Sequence, residues 1–131
     1  MLERKILDPT RVRKIQGSFS WIDHRLITGG FLSDLSSIEI LLYLFLVAVS
    51  DRNGLSFYHQ DKITSVLKID LLSLGQAREG LVQRSLLAYE PPLYQILSLP
   101  ARPVIPLPPE EIRARQQQAA LKAIRKIQEA L

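Results

Sequence analysis

Residues 60–85 read QDKITSVLKIDLLSLGQAREGLVQRS, and this stretch decides which fold the chain can adopt. Ile63, Val66 and Leu67 recur at helical spacing, which predicts the buried stripe of a first helix over about residues 60–67. A turn of a few residues follows, and then a second helical pattern begins. The stretch therefore predicts two helices that meet across a short turn.

The second helix is expected to begin after Asp70, whose side chain suits the N-cap position. It is predicted to run to about Ser85, and its apolar residues Leu74, Ala77 and Leu81 lie three and four positions apart. These three side chains are expected to pack against the first helix, which leaves the opposite face of the second helix free. The free face is predicted to consist of Leu71, Leu72, Gly75, Gln76 and Glu79.

The segments on either side of this pair predict one longer helix and three short strands. Ser36 and Glu39 form a capping box, in which each side chain bonds the free backbone amide of the other residue. The helix that it starts, over about residues 37–49, is apolar on nearly every face and is expected to be central to the fold. The three strands are predicted at residues 55–58, 86–89 and 93–97.

The order helix, strand, helix, turn, helix and hairpin resembles the winged helix-turn-helix domains of phage and plasmid replication-initiation proteins and related bacterial regulators. The resemblance covers about residues 19–99, with Leu35 to Tyr58 as the upstream helix and strand. Residues 63–70 resemble the first motif helix, the turn and the cap. The later matching positions are Ser73, Leu74, Ala77, Leu81 and Ser85-Leu86-Leu87. The expected fold class is mainly α with a small β-hairpin.

The resemblance implies that the second motif helix enters the major groove of double-stranded DNA. The residues that would face the bases are Leu71, Leu72, Gly75 and Gln76. Gln76 is the member of this set that can form two hydrogen bonds with adenine, whereas Leu71 and Leu72 can contact only thymine methyl groups. Lys62 and Lys68 flank the first motif helix, and they either touch the phosphate backbone or are simply solvated.

The basic charge of the chain lies in its two ends. The formal net charge is +4, and residues 1–25 carry six Lys or Arg against three Asp or Glu. Residues 26–100 carry five against seven, and residues 101–131 carry six against three. DNA affinity is therefore expected to come mainly from the arms, since the central domain is slightly acidic.

A basic N-terminal arm is predicted over residues 1–17, ahead of the domain at residues 18–99. Asp8 as an N-cap and Pro9 at the first helical position predict a short helix over Thr10 to Gln16. The stretch Ser18 to Ile22, which contains Trp21, is expected to pack the arm onto the domain. The basic cluster of the arm, which either contacts phosphates or stays solvated, is Arg11, Arg13 and Lys14.

A Pro-rich linker is predicted over residues 100–109 and an amphipathic C-terminal helix over residues 110–131. This helix offers a short apolar seam for a protein partner or a second copy of the chain. The seam consists of Ala120, Ile124, Ile127 and Leu131.

Leu71 and Leu72, at the start of the second motif helix, would be costly in water. They either form an exposed protein-binding patch or contact the arm or the terminal helix of the same chain.

Arg78 and three tyrosines leave alternatives open. Many members of the resembled family carry an apolar residue at the position of Arg78. Here its stem is expected to pack at the edge of the core with a solvated head, or its charge to pair with Glu79 or another acid. Tyr58, Tyr89 and Tyr94 either stack on bases or belong to the core.

Several classes of chemistry lack the residues they need in this sequence. The chain has no cysteine, which excludes disulfides, thiolate zinc sites and cysteine nucleophiles. His24 and His59 are far apart and lack a cluster of acids, and Gly29-Gly30 is not a phosphate-binding loop. We therefore predict no metal, no cofactor and no enzymatic activity. The longest apolar run, Ile40 to Val49, is ten residues, too short for a membrane span, and a cytoplasmic location is expected.

The function predicted from these features is DNA binding by a winged-helix protein of a bacterial mobile element or regulator. The roles that fit are replication initiation, transposition and transcription control. The alternative is an interaction or oligomerisation module, which docks a partner through the start of the second motif helix and through the C-terminal helix.

Overall fold

The computed structural model describes residues 4–106 and 109–130. In these ranges the chain is mainly helical, with one small antiparallel sheet of three strands. The helices are α1 (Arg25–Thr28), α2 (Ser37–Val49), α3 (Gln60–Leu67), α4 (Leu71–Gln83) and α5 (Pro109–Ala130). The strands are β1 (Leu55–Phe57), β2 (Leu87–Glu90) and β3 (Leu93–Ile96).

Helix α2 has the predicted bounds, and its capping box is present. The Ser36 Oγ accepts a hydrogen bond from the Glu39 backbone N–H at 3.2 Å, and the Ser36 N–H donates to Glu39 Oε1 at 2.8 Å. Leu42 and Leu46 are fully buried, but Leu41 is 45% exposed. The helix is therefore central on one side and open to solvent on the other.

Helices α2 and α4 cross closely at Gly80. A Cβ at this position would overlap with Oε2 of Glu39, so only glycine fits without a shift of that side chain. The same Glu39 oxygen accepts a hydrogen bond from Nη1 of Arg84 at 2.6 Å, and both side chains are mostly buried. Arg84 also donates to the carbonyl of Asp34 at 3.1 Å. One ion pair thus joins the start of α2 to the end of α4.

The turn between α3 and α4 is closed by backbone geometry and a cap. Lys68 ends α3 in the left-handed conformation, with φ 58° and ψ 46°. Asp70 Oδ1 then accepts a hydrogen bond from the Ser73 N–H at 2.6 Å, as the N-cap prediction required.

The buried stripe of α3 is only partly as predicted. Ile63 is fully buried, whereas Val66, predicted to join the buried stripe, is 48% exposed. The stripe is narrower than predicted because α3 is short and packs mainly against α4.

The inner face of α4 is buried as its spacing predicted. Leu74 and Leu81 are fully buried and Ala77 is nearly so. The helix ends at Gln83, two residues earlier than the predicted Ser85, which has a left-handed φ of 59°. This turn redirects the chain from α4 into β2.

The sheet has the strand order β1-β3-β2, and both pairings are antiparallel. Tyr94 lies in the central strand, opposite Ser56 on β1 and Tyr89 on β2. Burial raises the pKa of Tyr94, and a hydrogen bond from Arg78 opposes this shift in part. Both strands of the hairpin contact the helices, with β2 against α4 and β3 against α2.

The N-terminal segment differs from its prediction. Helical structure is limited to a single 3-10 turn at Pro9–Arg11, capped by Asp8, and does not extend to Gln16. The stretch Ser18 to Ile22, expected to pack the arm onto the domain, contacts the end of α2 through Ser20, whose hydroxyl donates a hydrogen bond to the carbonyl of Ala48 at 3.3 Å. Trp21, within the same stretch, is 79% exposed. A hydrogen bond to the backbone therefore contributes to this contact, while the indole of Trp21 remains largely open to solvent.

Replacing the two glycines of α4 should have opposite effects. We expect Gly80→Ala to lower the free energy of unfolding by about 1–3 kcal/mol, because the new methyl group displaces the Glu39 carboxylate from Arg84. Gly75→Ala should raise it by about 0.5–1 kcal/mol, because nothing lies within 4 Å of a Cβ there. Urea unfolding followed by circular dichroism measures both. Equal effects of the two variants would contradict the close crossing.

The cap of α4 should make stability depend on pH. The backbone amide of Ser73 lowers the pKa of Asp70 below its ordinary value of 3.8. The carboxylate therefore stabilises the fold above the unfolded pKa, and this contribution is lost as the pH falls through the lower, folded pKa. The difference in unfolding free energy between the wild type and Asp70→Ala should narrow between pH 7 and about pH 2.5. A constant difference over this range would show that the charge of Asp70 does not contribute.

Candidate functional site

The outer face of α4 carries the strongest candidate site. Leu71 is 56% exposed and Leu72 is 72% exposed, although both start a helix whose inner side forms the core. They border a shallow groove that continues along the helix. Its remaining lining residues are Gly75, Gln76, Glu79, Gly80 and Gln83. The structure thus brings four predicted DNA-facing residues together, and we refer to this surface as the α4 groove.

The α4 groove is apolar at its start and carries one acid, Glu79, farther along the helix. Glu79 is exposed there and accepts a hydrogen bond from the Gln83 side chain at 3.3 Å. The nearby arginines are directed elsewhere, since Arg84 pairs with Glu39 and Arg78 contacts the hairpin. Gln76 remains as an exposed side chain that can both donate and accept hydrogen bonds.

Arg78 joins α4 to the hairpin instead of pairing with an acid. Its guanidinium lies 4.3 Å from the centre of the Tyr89 ring, and Nη1 donates to Tyr94 Oη at 3.1 Å. The two tyrosine rings are 4.5 Å apart between centroids. The head of Arg78 therefore contacts two tyrosines, where the sequence left open either a solvated head or a pairing with Glu79 or another acid. Tyr94 is buried and Tyr89 packs against the core, so these two aromatics support the fold and are not free for stacking on bases.

Tyr58, the third tyrosine, also packs within the fold. Tyr58 packs against the core, and its ring lies edge-on to Phe45 with centroids 5.3 Å apart. Of the lysines beside the motif, Lys62 is exposed on α3 and Lys68 is exposed at the turn before α4. Both side chains are therefore open to solvent, Lys62 in the first turn of α3 and Lys68 at its end.

The basic arm remains separate from the α4 groove. Arg11, Arg13 and Lys14 are exposed, and within residues 4–106 and 109–130 their side chains form no hydrogen bond or ion pair. The segment that follows the arm contacts the end of α2 through Ser20. The structure therefore does not bring these three residues together with Leu71, Leu72, Gly75 and Gln76.

The terminal helix α5 presents an apolar stripe to solvent. Every side chain of α5 that the structure describes is exposed, with Leu121 at 61%, Ile124 at 50% and Ile127 at 62%. Ala120 lies on the same face by helical periodicity. Leu131, predicted as the last member of this seam, lies outside the described residues. We refer to Ala120, Leu121, Ile124 and Ile127 as the α5 stripe.

The start of the linker is anchored to the domain. Arg25 forms an exposed ion pair with Asp23 at 3.2 Å, and its guanidinium also donates to the carbonyl of Leu99 at 3.4 Å. From residue 101 to residue 106 the chain has no helix or strand, so α5 is connected through an irregular segment.

Metal-ligating side chains do not cluster in the described ranges. Across residues 4–106 and 109–130, no three His, Asp or Glu side chains come together as a metal site requires. His59 instead caps α3, where its Nδ1 accepts a hydrogen bond from the Asp61 N–H at 3.4 Å. None of the described helices combines the length and the apolar composition needed to cross a membrane.

Gly80 and Gln83 are the groove residues that the sequence prediction missed. The signal for Gln83 was present, because Gln76, Glu79 and Gln83 continue the same helical face at intervals of three and four residues. The role of Arg78 had no such signal in the sequence, because its partners come from the hairpin.

No protein-family model, curated protein or solved structure matches this chain.

Proposed function

We propose that the chain is a winged helix-turn-helix protein that binds double-stranded DNA. The observation that carries the proposal is the placement of α4. Its inner face is packed against α2 and α3, its outer face is open, and the β2–β3 hairpin follows it in a sheet of order β1-β3-β2. In this arrangement a helix can enter a major groove about 12 Å wide while the rest of the domain stays outside it.

Each exposed residue has a role in this proposal. Gln76 reads an adenine edge, and Leu71 and Leu72 contact thymine methyl groups. Lys62 and Lys68 bind phosphates beside the groove and position the helix without reading sequence. The hairpin supplies little phosphate affinity, because residues 86–99 contain no Lys or Arg.

The basic arm supplies most of the affinity. The central domain carries more acids than bases, so it does not attract DNA by its overall charge. Arg11, Arg13 and Lys14 are exposed and unengaged within the described residues, which leaves their charges available for phosphates. The resemblance to replication-initiation domains and regulators supports a role in replication, transposition or transcription control of a mobile element.

Neutralising the arm should flatten the salt dependence of DNA binding. The full chain with Arg11→Gln, Arg13→Gln and Lys14→Gln should lose about 2–3 units of slope in log K against log salt, because up to three phosphate contacts disappear. Fluorescence anisotropy with a labelled random duplex, at several salt concentrations, measures this slope.

Arg52→Gln is the matched control, since Arg52 is exposed but lies on the loop between α2 and β1. This single substitution should leave the slope within experimental error of the wild type. Absence of duplex binding at the lowest salt concentration would overturn the proposed function. Equal slopes for the wild type and the triple variant would assign the affinity to another surface.

A second candidate function is a protein-interaction module, and the exposure of Leu71 and Leu72 favours it. The variant Leu71→Lys with Leu72→Lys discriminates between the two. If α4 binds DNA, two added charges near phosphates should hold or raise the affinity; if α4 binds protein, they should abolish assembly. Anisotropy and light scattering on the same samples measure both outcomes. Loss of DNA binding with assembly unchanged would contradict both roles for these leucines.

A further inference from the structure

A cavity of about 340 Å³ lies beside the second half of α2, and it shares no lining residue with the α4 groove. Four parts of the chain enclose it, namely residues 20–25, the α2 residues Tyr43 and Val47, the loop at residues 50–54 and residues 96–99. Its volume is within the range of sites that bind small molecules. We refer to it as the α2 cavity.

The walls of the α2 cavity are held by hydrogen bonds of the fold. The Ser20 hydroxyl donates to the carbonyl of Ser50 at 3.4 Å, and the Arg25 guanidinium donates to the carbonyl of Leu99 at 3.4 Å. In the loop, Asp51 Oδ1 accepts hydrogen bonds from two backbone N–H groups at 2.8 and 3.0 Å. The cavity is therefore formed by the chain itself and does not require a ligand to shape it.

Tyr43 places a hydroxyl without a partner on the inner wall of the cavity. Its side chain belongs to a residue only 5% exposed, and within residues 4–106 and 109–130 the hydroxyl forms no hydrogen bond. It is not sealed in the core either, since the sealed polar atoms without partners in this part of the chain are Ser56 Oγ and Arg84 Nε. Burial and then the charge of Asp23 raise the pKa of Tyr43, so the hydroxyl stays protonated. An acceptor atom of a ligand would satisfy it.

The charged residues of the cavity leave one cation available. Asp23 and Arg25 form an ion pair at 3.2 Å, and Asp51 is held by the two N–H groups of its loop. Arg52 is exposed, and among the described residues its guanidinium forms no ion pair or hydrogen bond. A guanidinium only donates hydrogen bonds, and its planar shape matches the two oxygens of a carboxylate. The unengaged groups at Tyr43 and Arg52 therefore favour a ligand that is rich in acceptors and negatively charged.

Trp21 supplies a flat apolar surface at the same cavity. It lines the cavity and is 79% exposed, although an indole of this size usually packs inside a domain. The neighbouring wall includes the apolar side chains of Val47 and Leu97. A planar aromatic ring can stack on the indole and cover apolar surface that water now contacts.

We propose that the α2 cavity binds a small aromatic carboxylate, with the ring against Trp21, the carboxylate on Arg52 and an acceptor atom towards the Tyr43 hydroxyl. The ring and the charge are both required, because an aliphatic carboxylate cannot stack on Trp21 and a neutral aromatic compound leaves Arg52 without a counter-charge. The proposal is independent of DNA binding, since no residue of the cavity belongs to the proposed DNA-binding surface.

The test titrates benzoate, 4-hydroxybenzoate and 2-naphthoate into the full chain and measures the heat of binding by calorimetry. At least one of them should bind saturably with a Kd of about 1 mM or tighter. For benzoate and 4-hydroxybenzoate, the fluorescence of Trp21 should change along the same curve, because Trp21 is the only Trp of the chain. The amide of the best ligand, and cyclohexanecarboxylate in place of benzoate, should bind about tenfold more weakly or not at all.

Three variants each remove one of the ligand contacts. Arg52→Gln should weaken the binding about tenfold or more, because it removes a charged hydrogen-bond donor. Tyr43→Phe should weaken it about twofold to tenfold through the loss of one hydroxyl, and Trp21→Leu about threefold to tenfold through the loss of the ring. Unchanged thermal unfolding of the variants without ligand excludes misfolding.

The matched controls make the same chemical changes at residues that do not line the cavity. These controls are Arg102→Gln, Tyr58→Phe and Phe19→Leu, and each should bind the ligand as the wild type does. Arg52→Gln also separates this site from DNA binding, since it should lose the ligand and keep the salt dependence of the wild type.

Three results would overturn the proposal. The first is the absence of saturable binding for all three aromatic carboxylates. The second is equal affinity for the amide or for cyclohexanecarboxylate, which would exclude the proposed class of ligand. The third is an affinity that stays at the wild-type value in all three cavity variants, which would locate the ligand at another surface.

Discussion

The close crossing of α2 and α4 is the constraint on which the rest of the structure depends. Gly80 lets the two helices approach, and the Glu39 carboxylate fills the space that a side chain would occupy. That carboxylate both completes the capping box of α2 and pairs with Arg84 at the end of α4. A buried charge of this kind is stable only with its partner in place, so the angle and position of α4 are tied to the start of α2. The outer face of α4 is open because of this arrangement.

The same contacts decide the electrostatics of the candidate site. Arg78 within α4 and Arg84 at its end are both used inside the fold, on Tyr89, Tyr94 and Glu39. The exposed face is left with two leucines, two glutamines and one acid. Under the proposed DNA-binding function, a helix of this composition contributes shape and a few base contacts, and the charge attraction must come from the arm.

Local signals predicted much of the backbone. The capping box, the Asp70 cap and the regular apolar spacing located α2, α3 and α4 within two residues, because each signal acts within one turn of helix. The misses occurred where local preference was weak. Asp8 and Pro9 start a helical turn, but no apolar stripe follows to hold it against the domain. In the stretch Ser18 to Ile22, expected to pack the arm onto the domain, Trp21 is exposed and the hydroxyl of Ser20 makes the contact.

The sequence by itself determined the order of elements, the inner face of α4 and the separation of charge between the arms and the domain. These properties follow from residue spacing and residue type, which need no knowledge of distant contacts. Only the tertiary structure decided that Arg78 contacts two tyrosines, that Arg84 pairs with Glu39 and that the α4 groove and the α5 stripe stay uncovered. Partners separated by 16 and 45 positions meet through the packing of α4 against the sheet and against α2, and helical periodicity alone does not specify such pairs.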